Sequence, residues 1–112
     1  MSSWTEIDEA VQTLQLNGCE DLTVLQCTSE YPCPPEHSGL NVLDELKLRY
    51  KNIKTGYSDH TMGVAIPLAA VVKGATVIEK HFTLSQKMYG SDAMNSIEPK
   101  DFKRLVDEIR QI

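Results

Sequence analysis

The chain has 112 residues, 41% of them apolar and 24% charged, with a formal net charge of −5. That composition suits one soluble globular domain, and an acidic balance without a Lys/Arg cluster argues against a nucleic-acid partner. The longest apolar run, about Val64 to Val72, is broken by Pro67 and falls far short of the roughly 20 residues that span a bilayer, so no membrane role is expected.

The N-terminal Met1–Glu6 lacks the basic and apolar regions of a secretory signal. The three cysteines, Cys19, Cys27 and Cys33, are odd in number and form no C-x-x-C pair. A disulfide framework or structural zinc is not expected, and a reducing cytoplasm fits best.

Ser3-Trp4-Thr5-Glu6 fits a capping box. Ile7, Ala10, Val11 and Leu14 follow at helical spacing, and Asn17-Gly18 ends the helix. No strand precedes it, which suggests that structure upstream is missing. Leu22–Cys27 reads as a strand buried on both faces. Thr28–Pro35 follows, with prolines at 32, 34 and 35, and reads as a stiff loop. Strand parity points Cys27, Ser29 and Tyr31 the same way. The loop is equally a substrate contact or a rigid connector, and His37 in its polar tail is expected to be solvated.

Leu40, Leu43, Leu46 and Tyr50 mark a second amphipathic helix. A short strand begins at Ile53 and runs into Gly56-Tyr57-Ser58-Asp59-His60-Thr61. A third helix is expected from Val64 or Ile66 to Gly74; it is apolar almost all round and should be buried by neighbours. Ala75–Lys80 is the next strand. Glu79 interrupts its apolar run, so the carboxylate must be paired or functional. Lys80 points the other way, toward pairing with Asp59. Leu84–Asn95 is a loop of about 12 residues, long enough to be functional or mobile. The last helix begins near Glu98-Pro99 and presents Phe102, Leu105, Val106 and Ile109.

The order is helix, then strand–helix three times, which argues an α/β fold with a parallel sheet. Right-handed crossovers would put the helices on one face only. The other face would need a barrel interior or a partner chain. Ser58 and His60 share one strand face, as do Glu79 and His81. On neighbouring parallel strands, about 5 Å apart, they would converge at the sheet's carboxyl edge, where α/β folds bind ligands. Two imidazoles and a carboxylate suit Mn²⁺, Zn²⁺ or Fe²⁺. Taken singly, each histidine reads more readily as a hydrogen-bonded core residue than as a ligand, and it is their matched strand-end positions that favour a site.

Three stretches resemble the sialic acid synthase (N-acetylneuraminate synthase) family. They are Cys27-Thr28-Ser29-Glu30-Tyr31-Pro32, Gly56-Tyr57-Ser58-Asp59-His60-Thr61 and Gly74-Ala75-Thr76-Val77-Ile78-Glu79-Lys80-His81-Phe82-Thr83. The resemblance runs through essentially the whole chain. It implies a partial (β/α)8 TIM barrel, with the three strands as barrel strands six to eight. These enzymes condense phosphoenolpyruvate with N-acetylmannosamine or a related sugar.

The resemblance further implies that His60 and His81 bind Mn²⁺, or Mg²⁺ in its place, and that this metal polarises the sugar aldehyde. Glu79 would handle the water proton or orient the aldehyde. Ser29, Tyr31 and Ser58 would lie at the substrate end, and Asp92 would contact sugar hydroxyls. Ser29 stands where the family often has asparagine, and Gly90-Ser91-Asp92 where it commonly has Gly-Pro-Asp. Both departures are on the sugar side. Legionaminic acid, pseudaminic acid and spore-coat sugar synthases share the metal core.

By the same resemblance, strands one to five, the lysines that grip phosphate and the C-terminal antifreeze-like domain are absent. The family is expected to be homodimeric at full length. The chain is expected to be a fragment with negligible synthase activity in isolation. Two rival readings are a non-catalytic binding or assembly module and another metal-dependent barrel enzyme such as an aldolase or hydrolase.

Overall fold

Capping chemistry sets where the first helix begins. In the computed structural model, which describes residues 1–112, α1 (Trp4–Leu16) opens with the reciprocal Ser3–Glu6 capping box. Such a serine cap contributes about 1 kcal/mol. Gly18 closes the helix at φ +87°, with Gly18 N donating to Gln15 O and Cys19 N to Leu14 O, both at 3.0 Å. That pair of bonds is a Schellman motif, which a left-handed glycine makes at no steric cost.

The remaining elements are β1 (Thr23–Cys27), α2 (Val42–Arg49), β2 (Lys54–Asp59), α3 (Ala65–Val72), β3 (Val77–Lys80) and α4 (Pro99–Ile109). Strand–helix alternation is therefore as expected. The sheet is parallel and open, in the order β1-β2-β3. Its register aligns Leu25, Gly56 and Val77 in one row and Cys27, Ser58 and Glu79 in the next. Two short 3₁₀ turns, Pro35–His37 and Ala93–Asn95, lie in stretches read from sequence as plain loop.

Alternation along β2 divides the sheet's two faces. Tyr57 is buried against Leu43 of α2, Ala70 of α3 and Ala75. The apolar residues of α1 and α2 meet separately around Val11, Leu46 and Tyr50. Val64, Ile97 and Leu105 join the start of α3 to α4. The opposite face carries Gly56 and Ser58, and Val77 on it is still 38% exposed.

Three expectations need correction. All five residues of β1 are half-buried rather than buried, because β1 is an edge strand without a neighbour on its far side. In α3 only Pro67 and Ala70 are buried, and Val72 is 71% exposed; its outer face has no covering element. The third strand starts at Val77 rather than Ala75. Ala75 N donates to Ala70 O at 2.9 Å and Gly74 N to Val71 O at 2.8 Å, a second Schellman closure that assigns Ala75 to the end of α3.

After β3 the chain leaves and returns to one point. Ile97 N donates to His81 O at 2.8 Å, and Thr83 N donates to Ile97 O at 3.0 Å. Phe82 and Ile97 form a parallel bridge there. The intervening loop is thereby closed at its neck. No helix is long and apolar enough to cross a membrane.

Candidate metal and sugar site

The strands end side by side, so the residues after them meet. His60 follows β2 and His81 follows β3. Their imidazole centroids are 5.1 Å apart and their planes stand nearly perpendicular, at 88°. Both rings are half-buried.

The tautomer of His60 follows from its partner. Its Nδ1 lies 2.8 Å from the Thr28 carbonyl oxygen. A carbonyl only accepts, so Nδ1 carries a proton, and in the neutral ring Nε2 keeps the free lone pair. A backbone bond of this type is what orients a metal-binding imidazole. His60 is further held through its own carbonyl, which accepts from Cys33 N at 2.8 Å. That bond ties the proline-rich loop to the end of β2.

Tyr31 comes from that loop and sits against both rings. Its centroid is 4.4 Å from His81 and 5.2 Å from His60. Its hydroxyl is 3.1 Å from Ser96 Oγ and donates to the Asp92 carbonyl at 3.2 Å. Burial raises the phenol above its ordinary pKa against the opposing Ser96 hydrogen bond, so it stays protonated at neutral pH. Asp92 Oδ2 is 3.7 Å from His81 Nδ1, an electrostatic approach beyond hydrogen-bond length.

On the same sheet face Ser58, buried, donates to Glu79 Oε1 at 2.7 Å. Glu79 is exposed and keeps its other oxygen available. The opposite face holds an ion pair. Lys80 Nζ contacts Asp59 Oδ2, their side chains 4% and 0% exposed, as strand parity anticipates.

The structure thus gathers Tyr31, Ser58, His60, Glu79, His81 and Asp92 at one edge. Ser29 is placed elsewhere. It is exposed and lines a cavity of about 520 Å³ along β1 with Trp4, Ile7, Leu25 and Cys27. His37 is exposed, as expected, yet it is paired, with Nδ1 2.9 Å from Glu30 Oε2. Its carbonyl also accepts from Thr28 Oγ1 at 2.9 Å. Glu30 raises the His37 pKa above its ordinary value.

Two participants were not visible in sequence. Ser96 is 4% exposed and donates to the Asp92 carbonyl at 2.7 Å; a lone serine in an aperiodic loop carries no signal. The Thr28 carbonyl is backbone, which every residue has.

No group of three or more His, Cys, Asp or Glu side chains is arranged to hold a metal ion. Two imidazole donors, one with its tautomer fixed, fit a divalent ion whose other positions go to water or substrate. Coordination by two protein donors would leave positions open, as catalytic rather than structural sites do. Two residues before His81, Glu79 offers an exposed carboxylate that can accept a proton.

A family model described as the NeuB family matches residues 1–112. The chain is 47% identical to the N,N'-diacetyllegionaminic acid synthase of Campylobacter jejuni, covering 100% of this chain and 34% of that one. The crystal structure of the Bacillus subtilis spore coat polysaccharide biosynthesis protein spsE superposes with a TM-score of 0.93 at 34% identity, over 98% of this chain and 31% of that one. The N-acetylneuraminic acid (sialic acid) synthetase of Leptospira borgpetersenii gives 0.91 at 37% identity, over 99% and 38%. The chain spans about a third of the length of these proteins, and its open three-stranded sheet corresponds to part of a TIM barrel.

Proposed function

The chain belongs to the NeuB family of sialic acid synthases, and from that premise we propose that it carries the metal- and sugar-binding side of a nonulosonic acid synthase. The overall reaction joins the methylene carbon of phosphoenolpyruvate to the aldehyde carbon of an N-acetylmannosamine-type sugar. Water then adds and phosphate leaves.

The observation that carries the reading is the pair of imidazoles at adjacent strand ends, 5.1 Å apart. Mn²⁺ suits two nitrogen donors better than Mg²⁺, which favours oxygen; Mg²⁺ remains the substitute. A bound divalent ion supplies Lewis-acid polarisation of the sugar carbonyl. Glu79, steadied by Ser58, accepts the proton of the attacking water or orients the aldehyde. Tyr31 covers the rings and keeps bulk water from one side. Asp92 meets the sugar hydroxyls. The sugar itself follows from the loop bearing Asp92, and the names of the relatives span legionaminic acid, sialic acid and spore-coat polysaccharide.

The rest of the reading follows the family. On that reading residues other than these 112 grip the phosphate of phosphoenolpyruvate, and the chain alone is expected to turn over no measurable phosphoenolpyruvate. The full-length protein is a homodimer. Its compartment is the cytoplasm, with which three free thiols agree. A second reading, a non-catalytic module that assembles through its uncovered sheet face, is favoured by the exposure of Val77.

Electron paramagnetic resonance of Mn²⁺ with the purified chain tests the main reading. Specific binding that is lost in both His60→Ala and His81→Ala supports it. A folded chain that takes up no Mn²⁺, with a concentration-dependent dimer in sedimentation, would favour the module instead.

A further inference from the structure

Asp59 and Lys80 face the helices, on the side of the sheet away from the imidazoles, and their side chains are 0% and 4% exposed. Yet each immediately precedes one of the two histidines. Lys80 Nζ donates to the Asp59 carboxylate and, at 2.6 Å, to the Thr61 carbonyl. Asp59 Oδ1 accepts from Thr61 N at 3.1 Å and from Thr61 Oγ1 at 2.8 Å. His60 is therefore flanked by two residues that are both tied to the residue before His81. No buried side-chain nitrogen or oxygen is left without a partner.

A buried ion pair adds little net stability over an apolar pair of similar volume. What it supplies here is geometry, because a single lysine fixes two strand ends relative to each other. We propose that Asp59, Lys80 and Thr61 are positioning residues that set the spacing and orientation of His60 and His81. The proposal rests on reading that pair as the functional centre, and it names the device that presents it.

Imidazole ¹⁵N NMR of the metal-free chain is the test, since it needs neither turnover nor metal. The wild type is expected to show His60 as a single tautomer protonated at Nδ1. The double variant Asp59→Asn with Lys80→Met removes both charges at similar volume. Folded by circular dichroism, it is expected to show His60 averaged between tautomers and Mn²⁺ binding weakened by about tenfold or more. Thr61→Val, which deletes one hydrogen bond, should show a smaller change in the same direction. Lys80→Arg, which keeps a cation in reach of Asp59, should restore the wild-type spectrum. Wild-type imidazole spectra in the folded double variant, or in Thr61→Val should the double variant fail to fold, overturn the proposal. Ordered wild-type imidazoles that take up no Mn²⁺ defeat the metal reading and leave the positioning role standing.

Discussion

Ser58 and Glu79 occupy directly paired positions on neighbouring strands, and the serine hydroxyl donates to Glu79 Oε1 at 2.7 Å. The donor is buried and the acceptor exposed. Removing the hydroxyl therefore strands no charge in the interior. Ser58→Ala is expected to cost about 1 kcal/mol and to widen the rotamer distribution of Glu79. Urea unfolding checks the first expectation and side-chain NMR the second. A loss above about 3 kcal/mol would mean that the hydroxyl has a more deeply buried duty.

Gly56 lies in the row between Leu25 and Val77. A Cβ there would stand 2.4 Å from Leu25 Cδ2 and 2.6 Å from the Val77 carbonyl oxygen. The leucine tip can rotate away, but the backbone oxygen cannot. Gly56→Ala is expected to destabilise the chain by about 1–3 kcal/mol. Combining it with Leu25→Ala should recover little of that. Full recovery in the double variant, measured by thermal unfolding, would place the clash in the side chain alone.

Tyr31 reaches from the proline-rich loop to Ser96 and the Asp92 carbonyl. Tyr31→Phe keeps the ring against the imidazoles and removes those bonds. The expected result is faster amide hydrogen exchange in residues 84–96 with little change at His60. Unaltered exchange would show that the neck of the loop alone holds it.

Two exposed pairs give stability opposite dependences on pH. Hydrogen bonds from Arg49 and then Tyr50 lower the Asp8 pKa from 3.8 to about 2. The contribution of that carboxylate is present above its ordinary pKa and disappears as pH falls through about 2. Carbon NMR of the Asp8 carboxyl should report that value, and Arg49→Ala should return it toward the ordinary one. Glu30 raises the pKa of His37 above 6.5. This contribution is present below 6.5 and fades as pH rises through the folded value. Thermal midpoints should therefore decline slightly from pH 6 to 8 in the wild type and less in His37→Ala.

Legibility in the sequence followed periodicity. Parity alone placed Ser58 with His60 and Glu79 with His81 on one face, and it sent Asp59 and Lys80 together to the other. Caps such as Ser3 and Gly18 marked helix ends for the same reason: their chemistry is local. Burial was less legible, since the half-exposure of β1 and of Val72 depends on what lies beside the sheet. The Thr28 carbonyl that fixes His60 is backbone, and Ser96 gains its role only because the chain folds back at Ile97. Ser29 shares the parity of Tyr31, but beyond the end of a strand alternation no longer governs direction, and it lines the concavity along β1.

The closure at Ile97 has a consequence for how such a site diversifies. Residues 84–96 depart from and rejoin the sheet at one point, where Ile97 N bonds the carbonyl of His81 itself. Changes of sequence within that excursion reach the imidazoles only through Tyr31, which bonds Ser96 and the Asp92 carbonyl, and through Asp92 beside His81; the backbone of the strand ends is held at the neck. The segment bearing Asp92 is in this sense an exchangeable cassette mounted on a fixed pair of imidazoles. A different loop can then be carried on the same neck while the strand ends beneath it keep their backbone geometry.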